Sequence, residues 1–282
     1  LGGWQNDPAF TFKVVAADGL NQTCSTDVKV VLENVLEWPY MDVTPPACDD
    51  EPCLCNINEN SATNSLVACN ISVADEDAVD NGGTGNPTPG SGLTVEIFDA
   101  SGTTEASDMF TISADKKSIA VAAGADINFE DITPGSIMAT YCTPGANLVR
   151  KCSFELRVTD LAGHVTKEPL TIVVNDINEK PSLQDPAAPY TVNENSGYGV
   201  LVGKVDVSDP DTLNAAWGDS SLRCSVVNPT GQLYVSPRDC DIYTDNTPLD
   251  YEFQKSVEVE IKVTDDGGAG LFATKKYTIN ID

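Results

Sequence analysis

Strict alternation of apolar and polar residues decides the fold class of this chain. In Val257-Glu258-Val259-Glu260-Ile261-Lys262-Val263 every odd position is apolar and every even one is charged. Successive side chains of a strand point to opposite faces, so such a segment buries one face and wets the other. Phe154-Glu155-Leu156-Arg157-Val158 and Phe10-Thr11-Phe12-Lys13-Val14 repeat the pattern. No comparable stretch shows helical periodicity with caps, and turn signals such as Asp266-Gly267-Gly268 and Pro144-Gly145 punctuate the strands. The expectation is an all-β fold of sandwich type.

The chain also resembles itself. Ile57-Asn58-Glu59-Asn60-Ser61 is followed by Asp75-Glu76-Asp77, and Val192-Asn193-Glu194-Asn195-Ser196 by Asp209-Pro210-Asp211. Further on, Phe129-Glu130 corresponds to Tyr251-Glu252, and Val158-Thr159-Asp160 to Val263-Thr264-Asp265. Ala16-Ala17-Asp18-Gly19 is a third copy of that last element. Preserved order across copies marks tandem repeats. Whole repeats are expected at 57–178 and 179–282, with a cysteine-bearing insertion at 38–56. Residues 1–37 hold only the C-terminal part of an earlier repeat. A lone hairpin buries no core, so the rest of that repeat is expected upstream in a longer chain.

Charge narrows the partners. The chain has 43 Asp+Glu against 16 Lys+Arg, a formal charge of -27. That balance argues against nucleic acid and anionic membrane surfaces, which attract Lys and Arg. Abundant Val, Ile and Thr argue against disorder, so the acid must be tolerated within a folded protein. Nine cysteines suit an oxidising compartment. The sequons Asn21-Gln22-Thr23 and Asn70-Ile71-Ser72 agree, marking Asn21 and Asn70 as glycan acceptors. No apolar run reaches the ~18 residues that span a bilayer, so membrane attachment is expected only through other parts of the protein.

Calcium accounts for the acid. It takes about six to eight oxygens at ~2.3–2.6 Å and tolerates irregular geometry. Asp209-Pro210-Asp211 puts two carboxylates on one face of an extended strand. Two like charges about 4 Å apart repel by ~4 kcal/mol at an effective dielectric of ~20, and a bound divalent ion reverses that sign. The ordered set Asn58-Glu59-Asn60, Asp75-Glu76-Asp77, Asn128-Phe129-Glu130, Asp160 and Asp176-Ile177-Asn178-Glu179-Lys180-Pro181 resembles the cadherin repeat. So does its successor, Asn193-Glu194-Asn195, Asp209-Pro210-Asp211, Leu249-Asp250-Tyr251-Glu252 and Asp265.

The resemblance implies Greek-key β-sandwiches joined end to end through calcium-binding linkers. At the junction of the two whole repeats it assigns Glu59, Glu130, Asp176, Asn178, Glu179, the carbonyl of Lys180, Asp209, Asp211 and Asp265 as ligands. Two or three ions are expected there. Asn128 stands where the family has Asp, and the linker is one residue short. The earlier junction offers Asn34, Glu37, Asp75, Asp77 and Asp160, with fewer ions expected. Glu194, Asp250, Glu252 and Asp282 would form half a site awaiting a further repeat.

Local spacing suggests the bridges Cys142–Cys152 and Cys224–Cys240, with Cys48, Cys53, Cys55 and Cys69 making two more in a pairing left open. Zinc is disfavoured because the paired C-x2-C spacing is absent. Catalysis finds no support: His164, the single histidine, reads as a solvated turn residue, and no nucleophile elbow accompanies it. Trp4, Trp38 and Trp217 read as packing residues. The implied function is a calcium-stiffened extracellular rod serving cell adhesion or a surface filament, partnered by further repeats of the same chain and by other cell-surface or filament proteins. The alternatives are a ligand- or glycan-binding attachment module, or spacer repeats of a larger ectodomain. Attachment would call for exposed aromatics, which no stretch of sequence reveals, and the Gly/Pro/Thr-rich insertion between Gly82 and Gly92 is long enough to carry it.

Overall fold

The protein is described by a computed structural model at residues 9–20, 22–31, 37–46, 54–75, 92–144, 149–211, 221–265 and 270–282. Strands dominate it, as the alternation requires. The chain divides into two compact units, Leu1–Ile57, Ser61–Ile127 and Lys151–Val173 forming one, Asn58–Asn60, Asn128–Arg150 and Val174–Asp282 the other.

In the second unit the strand Ser256–Asp265 buries Val257, Val259, Ile261 and Val263 and leaves Glu258 to solvent. It pairs antiparallel with Phe272–Ile281 and, on its other edge, with Leu222–Val226. Tyr190–Val192 joins the far side of Phe272–Ile281 in parallel, completing a four-stranded sheet. A second sheet runs Leu201–Gly203, Ile242–Thr244, Leu233–Val235. Ile242, Leu233, Val235 and Val202 from this sheet share one core with Ile261, Ile279, Leu222 and Tyr190. Those inward positions come from every other residue of each strand, so two faces of opposite polarity make a sandwich. Gly203 is forced by close approach: a Cβ there would sit 2.2 Å from the Tyr190 ring. Cys224 and Cys240 form a disulfide within this unit.

The first unit is built on a sheet ordered Thr94–Asp99, Val149–Thr159, Val165–Asn175, Cys55–Asn58, Leu66–Ala74, Ser118–Val121, Phe110–Ile112. Tyr40–Thr44 pairs with Leu66–Ala74. Phe154, Leu156 and Val158 are buried while Glu155 and Arg157 ion-pair on the outside. Phe110 meets Phe154 edge to face at 5.6 Å. The hairpin Ala9–Ala17 with Thr23–Val31 pairs only with itself among the described residues, and Phe10, Phe12 and Val14 stay exposed.

A five-residue helix, Ile137–Tyr141, escapes the sequence reading. Ser136 caps it by accepting the Ala139 N–H, and it is too short to show a period of its own. The turns at Gly145 and Asp266-Gly267-Gly268, Trp4, Trp217 and the insertion between Gly82 and Gly92 lie outside the described residues. No helix among the described residues is long and apolar enough to cross a membrane.

Candidate metal centre

Two equivalent turns set up the acidic groups. Glu59 N–H donates to the Asn175 carbonyl, as Glu194 N–H donates to that of Asp282. Asn60 and Asn195 then take positive φ, 55° and 56°, the left-handed region that Asn tolerates better than most residues. Each Glu carboxylate accepts a backbone N–H from the later motif: Glu59 Oε2 from Phe129 at 2.7 Å, Glu194 Oε2 from Tyr251 at 3.1 Å. The repeat seen in sequence is thus a repeat in hydrogen bonding.

Around Glu59 the second unit gathers its acid. Glu59, Glu130, Asp176 and Asp211 each offer an oxygen within 4.8 Å of the others. Glu59 Oε1 also accepts Ile177 N–H at 2.9 Å, which holds the segment after Asp176 against it. Glu179 N–H donates to Asp211 Oδ2 at 2.7 Å, and Asn60 Nδ2 donates to Glu179 Oε1. Asp209 Oδ1 accepts Asp211 N–H at 3.1 Å, and Asp265 Oδ1 accepts the Ser221 hydroxyl at 2.6 Å. Glu59, Asp209, Asp211 and Asp265 are all nearly inaccessible to solvent.

Several oxygens in this group are buried without a hydrogen-bond donor: both of Glu130, Oδ1 of Asn178, Oε2 of Glu179 and Oδ1 of Asp211. Orphaned buried acceptors are rare in folded proteins and signal a missing ion or water. The carboxyls register the crowding. Burial, opposed by the Ile177 and Phe129 N–H groups, pushes Glu59 up to about 7. Burial and the neighbouring Glu59 push Glu130 up to about 8, and burial raises Asp209 to about 7. Glu179 is raised as well, chiefly by burial. At ~5 Å and an effective dielectric of ~20, each like-charged pair costs about 3 kcal/mol.

Such an all-oxygen set, anionic, with amide and carboxylate donors and no sulfur or imidazole, fits a hard divalent cation. Calcium bound there would be held by Glu59, Glu130, Asp176, Asn178, Glu179, Asp209, Asp211 and Asp265, and would supply the positive charge that lets them ionise together. Lys180 is exposed. Asn128 Oδ1 accepts the N–H groups of Glu130 and Asp131, fixing the turn that presents Glu130.

The other expected sites divide. Glu194, Asp250 and Glu252 lie together, but Asp282 does not join their cluster and the group is largely exposed. At the earlier junction Asp77 and Asn34 lie outside the described residues, and no acidic cluster forms among the described ones. Glu37 and Asp75 line an open groove with Trp38 and Tyr40. Asp160 is taken by His164: Oδ1 accepts the His164 N–H and Oδ2 meets Nδ1, each at 2.8 Å. Burial works against the Asp160 charge, yet these hydrogen bonds hold its carboxyl below the ordinary range. His164 is therefore not the free loop residue expected from sequence, and Trp38 stacks on its ring at 5.5 Å. Trp38 itself is 66% exposed, so it covers an imidazole and packs into no core.

Cys142 and Cys152 are disulfide-bonded. Cys55 and Cys69, expected in bridges, are buried thiols here, and Cys24 is an exposed one. Cys48, Cys53 and Asn21 lie outside the described residues, while Asn70 is exposed on its strand. An aromatic ladder went unread: Tyr198 stacks on Tyr234 at 5.5 Å, and Tyr234 on Tyr243 at 5.4 Å. Exposed Leu201 lies opposite Tyr243 in the paired strands and extends the ladder.

Comparison with known proteins agrees with this architecture. Residues 188–282 match the family described as Cadherin domain. Over 152 residues the chain is 32% identical to desmocollin-2 of Mus musculus, covering 50% of this chain and 17% of that protein. Over 133 residues it is 34% identical to desmocollin-1 of Bos taurus, covering 44% of this chain and 15% of that protein. The chain thus spans less than a fifth of these relatives. The solved structure of protocadherin gamma B2 extracellular cadherin domains 1-5 superposes with a TM-score of 0.56 at 14% identity, over 97% of this chain and 46% of that one. Residues 188–282 thus match a cadherin domain, and the chain's all-β fold resembles that of cadherin ectodomain repeats.

Proposed function

We propose that this stretch of cadherin-type repeats is part of an extracellular, adhesion-type ectodomain that calcium stiffens at the Asp176–Pro181 linker. The observation that carries the reading is the convergence of Glu59, Glu130, Asp176 and Asp211 within 4.8 Å, with both Glu130 oxygens buried and undonated. Those four side chains come from segments on both sides of the linker in sequence. Ions held by all of them would tether the chain before Pro181 to the chain after it. Without ions the same carboxylates repel, and the linker loosens. With calcium bound, the array would act as a rod that projects a binding end or builds a filament, with further repeats of the same protein as immediate neighbours. Extracellular modules bind calcium at about 10⁻⁴–10⁻³ M, so such sites would fill outside cells.

Limited proteolysis tests the reading. In millimolar calcium the linker resists cleavage; after chelation, cuts appear near Asn178–Pro181 while each repeat remains intact. Equal resistance in both conditions would overturn it.

A second reading, attachment to a ligand, rests on the Tyr198–Tyr234–Tyr243 ladder, because a stack of half-buried rings ending in the exposed Tyr198 suits a glycan or protein surface. It expects Tyr198→Ala to weaken cell or glycan-array binding about tenfold with folding unchanged. Binding that ignores the substitution removes this reading.

A further inference from the structure

We propose that Cys55 and Cys69 close into a disulfide that ties the strand Cys55–Asn58 to the strand Leu66–Ala74. The pairing left open by sequence is resolved by register. Asn56 faces Ala68 in the antiparallel pair, so Cys55 faces Cys69 one step along. Directly opposed residues in an antiparallel pair lie about 4.5–5.5 Å apart at Cα, inside the ~4.4–6.8 Å that a disulfide spans. Both side chains point inward, at 2% and 6% exposure, and the two thiols hydrogen-bond to each other. Nothing has to move far for the sulfurs to bond.

The rest of the molecule supports an oxidising setting. Cys224–Cys240 is a formed bridge, and Cys142 and Cys152 are both bonded. Thiols held face to face in a chain folded among disulfides are substrates for exchange. Before the sheet is covered, Cys55 Sγ, as its thiolate, attacks a sulfur of an oxidant disulfide, such as oxidised glutathione or an oxidoreductase. One thiol leaves and a mixed disulfide forms. Cys69 Sγ, losing its proton, then attacks Cys55 Sγ and expels the second thiol. Two S–H bonds are lost and one S–S bond forms, while two electrons and two protons pass to the oxidant, which departs as two thiols. The bridge pins the start of the repeat, just ahead of Glu59, to the strand that Tyr40–Thr44 also joins.

Chain secreted from an oxidising host, denatured in excess iodoacetamide without reductant, gives the test. A glutamyl endopeptidase cuts after Glu59 and so separates the two cysteines. Mass spectrometry is expected to find their peptides joined, with fragmentation placing the link on Cys55 rather than Cys53. Two alkylated thiols, or a link from either residue to any other cysteine, overturns the proposal. A second measurement does not depend on folding. Titrated with a chromogenic disulfide after denaturation, Cys55→Ala should show one thiol more than the parent, because Cys69 is released. One thiol fewer refutes the bridge.

Discussion

Replacing Asp211 with Asn should weaken calcium binding by about a hundredfold, near 3 kcal/mol, while leaving the metal-free protein at least as stable as before. Asp211 is the member that belongs to both halves of the acidic group. One of its oxygens lies among those of Glu59, Glu130 and Asp176, and its N–H reaches Asp209. It is fully buried. Removing its charge removes a ligand carboxylate from the filled site and a repulsion from the empty one. Asn keeps the shape and can still accept the Glu179 N–H that Asp211 Oδ2 now takes, so the turn is preserved. The signature is therefore opposite in the two states: a lower melting temperature in calcium, an equal or higher one in chelator. Isothermal titration and thermal melts measure both. A core role would lower the melting temperature in each condition, and that outcome would remove Asp211 from the site. Glu258→Gln is the matched control. Glu258 sits on the wet face of its strand in an exposed pair with Lys276, and such pairs contribute ~0–1 kcal/mol.

Strand identity was legible because it is written locally. Val257 to Val263 alternate with no gap, and burial follows that alternation residue by residue. The acidic convergence was legible for another reason. Repeats place equivalent residues in equivalent turns, so Glu59 and Glu194 accept matching N–H groups although 135 positions separate them. What escaped the sequence depends on pairing between distant segments. The ladder of Tyr198, Tyr234 and Tyr243 exists because Tyr234 faces Tyr243 across two strands, and no window of sequence contains that register. Cys55 and Cys69 come to face each other for the same reason.

The earlier junction shows how a motif can persist while its chemistry changes. Asp160 follows Val158-Thr159 as Asp265 follows Val263-Thr264. Asp265 stays inside an acidic group and accepts a hydroxyl. Asp160 instead has a histidine four residues on, whose backbone and ring occupy both its oxygens. Thr166 then donates to the Pro39 carbonyl, and Trp38 lies over the imidazole. Hydrogen bonds and stacking tie Trp38 and Pro39 to this segment within the first unit, whereas the second unit gathers carboxylates. A sequence pattern that lists only acidic positions cannot separate the two cases, because the deciding residues, His164 and Trp38, lie outside it.

Chelated protein should lose stability as pH rises from about 5 to 8, and calcium should abolish the trend. In the metal-free protein Glu59 and Asp209 titrate at about 7 and Glu130 at about 8, whereas the unfolded chain releases those protons near the ordinary values of 4.5 and 3.8. Between the two ranges the native state binds more protons than the unfolded one, so raising the pH favours unfolding. The stability from these protons is fully present below the unfolded values and is gone once the pH passes about 8. Asp99, Asp115 and Glu155, whose carboxyls hydrogen bonds hold below the ordinary range, act in the opposite sense and titrate below this window. Calcium must displace the same protons, and its affinity should therefore rise across this window, by about tenfold or more from pH 6 to 8. Each kcal/mol of lost stability lowers the melting temperature of a domain this size by about 4–8 °C, well within reach of a thermal scan. In Asp211→Asn the slope in chelator should flatten, since one source of repulsion on its neighbours is gone. A metal-free melting temperature that climbs with pH would mean that the buried carboxylates are already neutralised within the protein, and that no cation is needed to hold them together.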